Sequence, residues 1–478
     1  MSHKTIFSLS TYNLRSALHV HRISGVGCYN VLKNYLLVPK NKKPISFEKV
    51  KKSSQSPFSK YVLLVDKTQA IIDDVMITCY FSPKSYTGED LVEVSCHGNP
   101  IISKKLHSFF RSLGFIDAKP GEFTYRAFLN GKLDFVQSEA IQQIIHAESF
   151  AGLSLARQAL KGTVSQEIKR LRKKIIDSLA YIEAHIDFES DEVGDYVPAL
   201  IQDDLACVME ELNKLSKTYS SAQKLKAGLK VCLIGEPNVG KSTLFNNLSK
   251  SDNAIVTDIP GTTRDILKEH IIIGDKDFII FDTAGVRETN ETVEKLGVEK
   301  TKRMVSKTDL VCLLVSIEKH DNPEFFETLL SHFHDVDFNK VKKIIVFTKT
   351  DLVSKEKRLE IERSFKASQL YKKVFDYTFI SNLDIQPLID FLIREYDALM
   401  GLKHTSQDPI LISERQKDKI EIAKQSLKQV IDLIKKKAYP EIIASELNNI
   451  KDSLEEIVGR ISVDDIYETL FSSFCIGK

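Results

Sequence analysis

Eight residues restrict this chain more than any other stretch: Gly235-Glu236-Pro237-Asn238-Val239-Gly240-Lys241-Ser242, set between an apolar run, Val231–Ile234, and a helical run, Thr243–Leu248. A strand that turns through glycines directly into a helix is built to hold an anion. Gly235 and Gly240 let the backbone wrap a phosphate, while the loop N–H groups and the helix N-terminus bind it. Asn238, Val239 and Thr243 belong to the same wrapping segment. In such a loop Lys241 neutralises the β- and γ-phosphates of a nucleoside triphosphate, and the Ser242 hydroxyl ligates Mg²⁺. The bland alternative, a glycine-rich turn carrying an exposed lysine, sits poorly with the strand–loop–helix order.

Three further segments follow in sequence. Asp282-Thr283-Ala284-Gly285 ends an apolar strand; an aspartate there can hold Mg²⁺, and Gly285 can turn its N–H to the γ-phosphate. Thr348-Lys349-Thr350-Asp351 ends another, where Asp351 can take both N–H donors of guanine while the Lys349 stem covers the base. Ser381-Asn382-Leu383 lies beyond the next strand, where a backbone N–H can meet guanine O6. Each short pattern alone is weak; in this order, each after an apolar run, they specify a guanine-nucleotide site. Adenine lacks the paired donors that Asp351 requires, so an ATP-using protein is disfavoured. Between the first two elements, Thr257-Asp258-Ile259-Pro260-Gly261-Thr262-Thr263 fits a switch whose threonine reaches Mg²⁺ when the γ-phosphate is present. Val286 stands where Ras-like GTPases place a water-orienting glutamine. The water must be oriented otherwise, and the acidic stretch ending at Glu294 is the nearest source of a carboxylate. Asn238 could help bind a monovalent cation that does the electrostatic work of an arginine finger.

At 478 residues the chain is too long for one core, and about three domains are expected. Residues 1–118 read as mixed α/β, with β-rich runs at His19–Ile23, Tyr61–Val65, Val75–Phe81 and Leu91–Cys96, and a helix over Ile101–Leu113 stopped by Gly114. Residues 119–225 are helical: Ser138–Arg157 and Val164–Phe188 carry apolar residues three and four apart, and Asp203–Leu225 is helical again. Residues 226–400 alternate strand and helix, as a mostly parallel, helix-covered sheet does. Residues 401–478 return to helix, with Ser413–Lys437, a second helix opened by Pro440 and closed by Gly459, and a capping box at Ser462–Asp465. The expected architecture is multidomain α/β plus all-α. The P-loop domain is inserted in a helical domain built from two chain segments, and an α/β domain precedes both.

Composition bounds the rest. A net charge of +2 does not announce a nucleic-acid binder, although local basic patches could still serve. Seven cysteines, an odd number with no CxxC pair, argue against a disulfide framework or a cysteine zinc site and for a reducing compartment. The N-terminus shows no long apolar leader, and no apolar run approaches the ~18 residues of a membrane span. A cytoplasmic protein is expected.

Through these motifs the chain resembles the MnmE family (also called TrmE), tRNA-uridine-modifying GTPases of bacteria and mitochondria. The likeness covers nearly the whole chain. Its carriers include Ile255–Asp265 and Asp282–Glu288 in the nucleotide domain. Outside it they are Tyr86-Thr87-Gly88-Glu89-Asp90, His97-Gly98, the segment Lys119–Lys132 (Lys-Pro-Gly-Glu-Phe-Thr-Tyr-Arg-Ala-Phe-Leu-Asn-Gly-Lys) and the tail Phe474-Cys475-Ile476-Gly477-Lys478. The resemblance implies a Ras-like P-loop GTPase domain and an N-terminal folate-binding and dimerisation domain. It implies K⁺ held by Asn238, Thr257, Ile259 and Thr262, Mg²⁺ held by Ser242 and Thr263, and Glu294 as the water-orienting carboxylate beside Lys241. It implies homodimers, K⁺-dependent pairing of nucleotide domains on hydrolysis, and a heterotetramer with the flavoprotein MnmG, which alone brings FAD. The implied chemistry adds an aminomethyl or carboxymethylaminomethyl group to C5 of the wobble uridine of certain tRNAs. Its one-carbon unit comes from a tetrahydrofolate derivative, 5-formyl or methylene, bound at Arg22, Glu93, Lys132 and Lys478. Cys475 matches a tail cysteine that is a candidate in the modification chemistry; a small residue packing the tail is the equal alternative.

Two departures stand out. Thr11–Arg22 contains no glycine or proline where the family has a Pro/Gly-rich loop, and Thr348 replaces an asparagine. The competing expectation is therefore a regulatory or ribosome-assembly GTPase of the Era/Der kind without modification chemistry. Such Era-like proteins also carry a KH-type RNA module, whose GXXG loop has no counterpart beyond residue 400.

Overall fold

Period-two alternation builds the first sheet. In β2 (Leu18–Ser24) His19, His21 and Ile23 turn inward and are fully buried, while Val20 and Arg22 face the other side. The sheet runs β3-β4-β5-β6-β2-β1-β7, with β1 Ile6–Leu9, β3 Leu36–Leu37, β4 Phe58–Val65, β5 Ile71–Tyr80, β6 Leu91–His97 and β7 Ile116–Asp117. All neighbours are antiparallel except β1 and β7. The helix Pro100–Ser112 covers the inward face. Asn99 caps it, Pro100 opens it, and Phe109 and Phe110 enter the core with Phe7, Val92 and Val94.

That face carries a wire of imidazoles. His19 Nε2 is 2.7 Å from the Leu14 carbonyl, which can only accept, so His19 carries its proton there. Its Nδ1 then accepts from Ser103 Oγ at 2.6 Å, which leaves Ser103 Oγ to accept from His21 Nε2 at 3.2 Å. The tautomers are fixed in series, and His21 is left with a buried Nδ1 lone pair without a hydrogen-bond partner, its ring edge-on to His107 at 5.2 Å.

The structure is a computed structural model that describes residues 4–46, 57–147, 149–188, 199–235, 238–250, 254–256, 267–282, 305, 308–319, 341–367, 376–400, 408–459, 471, 474 and 477. The chain divides into two units. The first comprises residues 1–145, 159–216 and 413–478; the second comprises 146–158 and 217–412.

Within the first unit, helices Thr163–Asp187, Glu414–Lys435 and Pro440–Val458 pack by their apolar stripes: Ile168, Leu171, Ile175 and Leu179 on one, Ile420, Leu427 and Val430 on the next, Leu447, Ile450 and Leu454 on the third. Ser413 caps the second of these by accepting from Gln416 N, and Gly459 closes the third. Glu139 lies at the joint. Its buried carboxylate accepts from Arg415 Nε and Nη2 at 2.8 and 3.1 Å, from Ser413 Oγ and from Gln416 Nε2. Arg415 also donates to the carbonyls of Glu456 and Ile457, and its guanidinium stacks on Phe135 at 4.2 Å.

The expected helix over Ser138–Arg157 is two helices, Phe135–Ile145 and Phe150–Leu160. Ser149 ends the continuity because its hydroxyl takes the Gly152 N–H. The Asp277 carboxylate, distant in sequence, takes the N–H of Ala151 at 3.1 Å. The chain passes from the first unit to the second at this break.

The second unit holds the other sheet, in the order β14-β13-β12-β8-β11-β10-β9. Here β8 is Leu229–Gly235, β9 Ala254–Val256, β10 Leu267–Ile273, β11 Lys276–Asp282, β12 Leu310–Ser316, β13 Lys342–Thr348 and β14 Asp376–Phe379. The five strands from β14 to β11 are parallel, and β10 and β9 run antiparallel at the edge. Both faces are buried, which is why the parallel strands read as continuous apolar runs. Val231, Leu233, Cys312, Leu314 and Ile344 meet helices Lys241–Lys250 and Gln386–Met400 on one side; Cys232, Val311, Leu313 and Phe347 meet Lys355–Ala367 on the other.

Five of the cysteines, Cys28, Cys79, Cys96, Cys232 and Cys312, are buried, and burial raises the thiols of Cys28, Cys79, Cys96 and Cys312, that of Cys79 to about 12 and that of Cys96 to about 11. Among the described residues no helix is long and apolar enough to cross a membrane. The expected capping box at 462–465 lies outside the described residues.

Candidate functional site

Parallel strands deliver their C-terminal ends to one edge of the sheet, and the turns that leave those ends form a cleft. From β8 the chain passes Gly235, where a Cβ would stand 2.7 Å from the Leu314 carbonyl and 2.9 Å from Val239 Cγ1, so only glycine fits. Asn238 adopts a left-handed backbone (φ 62°), which asparagine tolerates, and Gly240 follows at φ 100°. Helix Lys241–Lys250 then begins, so its free N–H groups open toward the loop. Lys241 is 7% exposed and folds back to donate to the Gly235 carbonyl at 2.7 Å. Its ammonium is thereby held over the loop. Ser242 and Thr243 occupy the first turn of the helix.

The guanine-reading segments meet this loop. Thr348, 4% exposed, donates its hydroxyl to the Val239 carbonyl at 2.7 Å, with the Val315 carbonyl at 3.3 Å. It thus ties the end of β13 to the phosphate loop. Lys349 takes a left-handed turn (φ 57°) into the short 3₁₀ turn Thr350–Leu352, which carries Asp351. Thr350 Oγ1 donates to the Ile380 carbonyl at 3.0 Å and so holds the turn to the following loop. There Ser381 Oγ accepts from the N–H groups of Leu383 and Asp384, shaping a tight turn with Leu383 at its exposed tip. Asn247, from the phosphate-loop helix, donates to the Asn382 carbonyl at 3.2 Å. A cavity of about 260 Å³ results, lined by Asn238, Val239, Gly240, Thr243, Thr348, Lys349, Asp351, Ser381 and Asn382 among others.

Of the residues singled out from sequence, Asp282 ends β11. Thr257, Asp258, Ile259, Pro260, Gly261, Thr262, Thr263, Thr283, Ala284, Gly285 and Glu294 lie outside the described residues, as do Cys475 and Lys478.

A second, larger cavity of about 460 Å³ opens in the first unit, lined by Arg22, Glu93, Tyr80, Tyr86, Leu91, Ile141, Ile144 and Leu160. Arg22 and Glu93 are cross-strand partners on β2 and β6; Nε and Nη2 both donate to Glu93 Oε1, at 3.0 and 2.8 Å. The guanidinium lies 5.5 Å from the Tyr86 ring centre and 5.7 Å from that of Phe123. Burial and the nearby Glu93 carboxylate raise the Tyr80 phenol, with Arg22 acting the other way. Burial raises that of Tyr86.

Lys132 is placed apart from the lining. It donates to the Pro83 carbonyl at 3.1 Å, beside Asn130, which donates to the Thr87 carbonyl. These bonds, with the buried Arg126 that pairs with Glu89 and Glu122, clasp loop Ser82–Asp90. Glu89 in turn accepts from Ser24 of β2, and Asp90 accepts from the N–H groups of Gly27 and Ser82. The two sequence segments Tyr86–Asp90 and Lys119–Lys132 are therefore one clasp behind the cavity. The same logic accounts for Gly98: a Cβ there would stand 2.3 Å from the Ser16 carbonyl, so the glycine admits the Thr11–Ala17 segment.

Sequence reasoning missed Tyr80 and Leu91 on strands, and Ile141, Ile144 and Leu160 on helices, as lining residues, because an apolar or aromatic residue gives no local sign of which cavity it borders. It also missed Asn247 and the Gly477 carbonyl, which accepts from Arg22 Nη1 at 3.2 Å.

The MnmE helical domain family matches residues 135–475, and the family described as GTP-binding protein TrmE N-terminus matches residues 5–132. The chain is similar to the tRNA modification GTPase MnmE of Aquifex aeolicus (strain VF5), 33% identical over 474 residues, covering 99% of both chains. It is also similar to that of Carboxydothermus hydrogenoformans, 34% identical over 480 residues, covering 100% of both. Similar solved structures include Era in complex with MgGDPNP and a segment of 16S ribosomal RNA (21% identity, 42% of this chain, 66% of that chain, TM-score 0.28). The G domain of the T. maritima FeoB iron transporter is another (24% identity, 35% of this chain, 98% of that chain, TM-score 0.24).

Proposed function

Because the chain belongs to the MnmE family of tRNA modification GTPases, we propose that it hydrolyses GTP to drive modification of C5 of the wobble uridine in certain tRNAs. The partner is the flavoprotein MnmG, and the one-carbon unit comes from a tetrahydrofolate derivative. The observation that carries the GTPase reading is the shared cavity in which the phosphate loop, Asp351 and the Ser381 turn converge. An aspartate held at the end of a buried strand takes the paired N–H donors of guanine, while Lys241 and the helix N-terminus take the phosphates.

Mg²⁺ suits the donor set of Ser242, Thr263 and the phosphates. K⁺ suits Asn238 together with Thr257, Ile259 and Thr262; the ion would supply positive charge where an arginine finger acts in other GTPases. Glu294 would orient the attacking water in place of a glutamine. Pairing of two nucleotide domains in a cytoplasmic homodimer would complete the site.

The Arg22–Glu93 cavity supports the folate reading: a wall of Leu91, Ile141 and Ile144 suits a flat ring, and Glu93 offers an acceptor for ring N–H groups. Lys478 would bind the glutamate carboxylates, while Lys132 holds the Pro83 carbonyl in the clasp behind the cavity.

GTP turnover measured in KCl and in NaCl tests the first half. Turnover should be much faster in KCl, and Asn238→Ala should remove the difference. Glu294→Ala should slow turnover by roughly 10²-fold, the usual weight of general acid–base assistance. Equal rates in both salts would sink the potassium mechanism. Calorimetry with 5-formyltetrahydrofolate tests the second half: heat of binding lost in Arg22→Ala is expected, and no heat with the unaltered chain leaves a switch without modification chemistry.

A further inference from the structure

Two turns meet at the base end of the nucleotide cleft, and each is tied to the part of the chain that meets the phosphates. Thr348, at the head of the Asp351 turn, donates to the Val239 carbonyl of the phosphate loop at 2.7 Å. The second tie comes from Asn247, on the helix Lys241–Lys250 that the loop opens. Its Nδ2 donates to the Asn382 carbonyl at 3.2 Å. Thr243 lies one helical turn before Asn247 on the same face, and both line the cavity.

The turn Ser381–Asp384 is braced by its own backbone. Ser381 N–H donates to the Asp384 carbonyl at 3.0 Å, and Asp384 N–H returns to the Ser381 carbonyl at 3.3 Å. Leu383 N–H donates to Ser381 Oγ at 3.3 Å. That N–H and the Asn382 carbonyl belong to one peptide plane and point opposite ways. Ser381 therefore holds the plane on one side and Asn247 holds it on the other. Of the N–H groups in this turn, that of Asn382 alone has no acceptor among the described residues. Asn382 itself lines the cavity. A donor left over in a braced turn beside a base pocket suits an exocyclic oxygen, which offers two lone pairs.

We propose that Asn247 is a positioning residue for guanine recognition: by holding the Asn382 carbonyl it sets the Asn382 N–H for O6 of the base. The two Asn382 dihedrals are the hinge between the held peptide plane and the free N–H, so fixing the plane fixes the donor. Without Asn247, one long bond from Leu383 N–H restrains that plane. The helix that carries Lys241 and Ser242 at its start thereby also sets a base-reading donor two turns later, and one rigid element governs the spacing between phosphate and base contacts. The proposal rests on the guanine reading of the cleft.

Guanine analogues separate this contact from the one at Asp351. 6-Thio-GDP replaces O6 with a sulfur that accepts poorly and keeps both N–H donors of the base. IDP keeps O6 and lacks the 2-amino donor. Calorimetry with Mg²⁺ gives the affinity of the full chain for GDP, 6-thio-GDP and IDP, before and after Asn247→Ala. The variant should bind GDP and IDP about fivefold more weakly, the scale of one neutral hydrogen bond, and 6-thio-GDP within about twofold of the unaltered chain. Its preference for GDP over 6-thio-GDP then falls while its preference for GDP over IDP stays. Asn247→Asp keeps the shape and loses the donor; its charge acts on the three ligands alike, so it should give the same ratios, and it is read alone if Asn247→Ala does not fold. A merely structural role would weaken all three ligands by one factor. That result, or an unmoved preference for GDP over 6-thio-GDP, overturns the proposal and leaves the guanine reading in place. An unaltered chain that binds GDP no better than ADP would remove the guanine reading and the proposal with it.

Discussion

One hydroxyl decides how the nucleotide cleft is braced. Thr348 sends its proton to the Val239 carbonyl in the phosphate loop, so the guanine-reading turn and the phosphate-reading loop move as one. The site is buried, and a valine there would leave the carbonyl without that donor. Thr348→Val is expected to weaken GDP binding about fivefold, from the roughly 1 kcal/mol that a neutral hydrogen bond contributes. Titration with a fluorescent GDP analogue checks it; unchanged affinity would show that the brace is not used. His21 makes a second residue-scale case. Burial, then His107 and His19, push it down to about 3 from an ordinary 6.5. The unfolded chain therefore holds a proton between those pH values that the folded chain refuses. Stability on this account is complete above pH 6.5 and is lost as pH falls toward 3, at up to about 1.4 kcal/mol per pH unit. His21→Gln retains a donor toward Ser103 and cannot titrate, so urea unfolding across pH 4 to 6.5 should show a flatter acid limb. An identical limb would rule His21 out as its source.

At the scale of elements, polar joints fix what apolar stripes leave open. Glu139 is the clearest: four groups from the start of helix Glu414–Lys435 converge on its carboxylate. Glu139→Gln leaves the partly buried Arg415 facing a neutral amide and should cost about 3 kcal/mol, the low end for breaking a buried ion pair from one side. Denaturant unfolding of the first unit reads that loss, and a cost under about 1 kcal/mol would contradict it. Such joints also mark the limit of what can be read from sequence. Strands β2, β4, β5 and β6 were legible because alternation is a local property. So were the parallel strands and the helices closed by Gly114 and Gly459. The strand Ile6–Leu9 and the two-residue β3 and β7 were too short to show a period. The break at Ser149 was hidden because Asp277, which takes the Ala151 N–H, is brought there only by tertiary structure. In the nucleotide cleft the lining residues of the phosphate loop and of the two base-reading turns were foreseen, since these motifs encode their contacts in consecutive residues, whereas Leu244, Asn247, Leu352, Ile380 and Ile385 were not. In the second cavity Arg22 and Glu93 were foreseen only through family likeness. The hydrophobic wall was not foreseen, because its residues come from four separate elements.

For the whole molecule, the chain carries separate cores: one around Phe7, Ile23 and Phe110, and others on either side of the sheet that contains β8 and β12. Only the latter sheet bears the nucleotide cleft. Scanning calorimetry should therefore resolve two transitions, and GDP with Mg²⁺ should raise one of them, by an amount that grows with the logarithm of ligand concentration. A single transition shifted as a block would show that the two units unfold together. The Glu139–Arg415 joint has a further consequence, for biosynthesis. These residues are 276 positions apart. At the 5–20 residues per second of synthesis, the carboxylate leaves the ribosome roughly 14 to 55 s before its guanidinium. The nascent N-terminal segment must keep that acidic side chain in water throughout, while the intervening GTPase sheet is already free to fold.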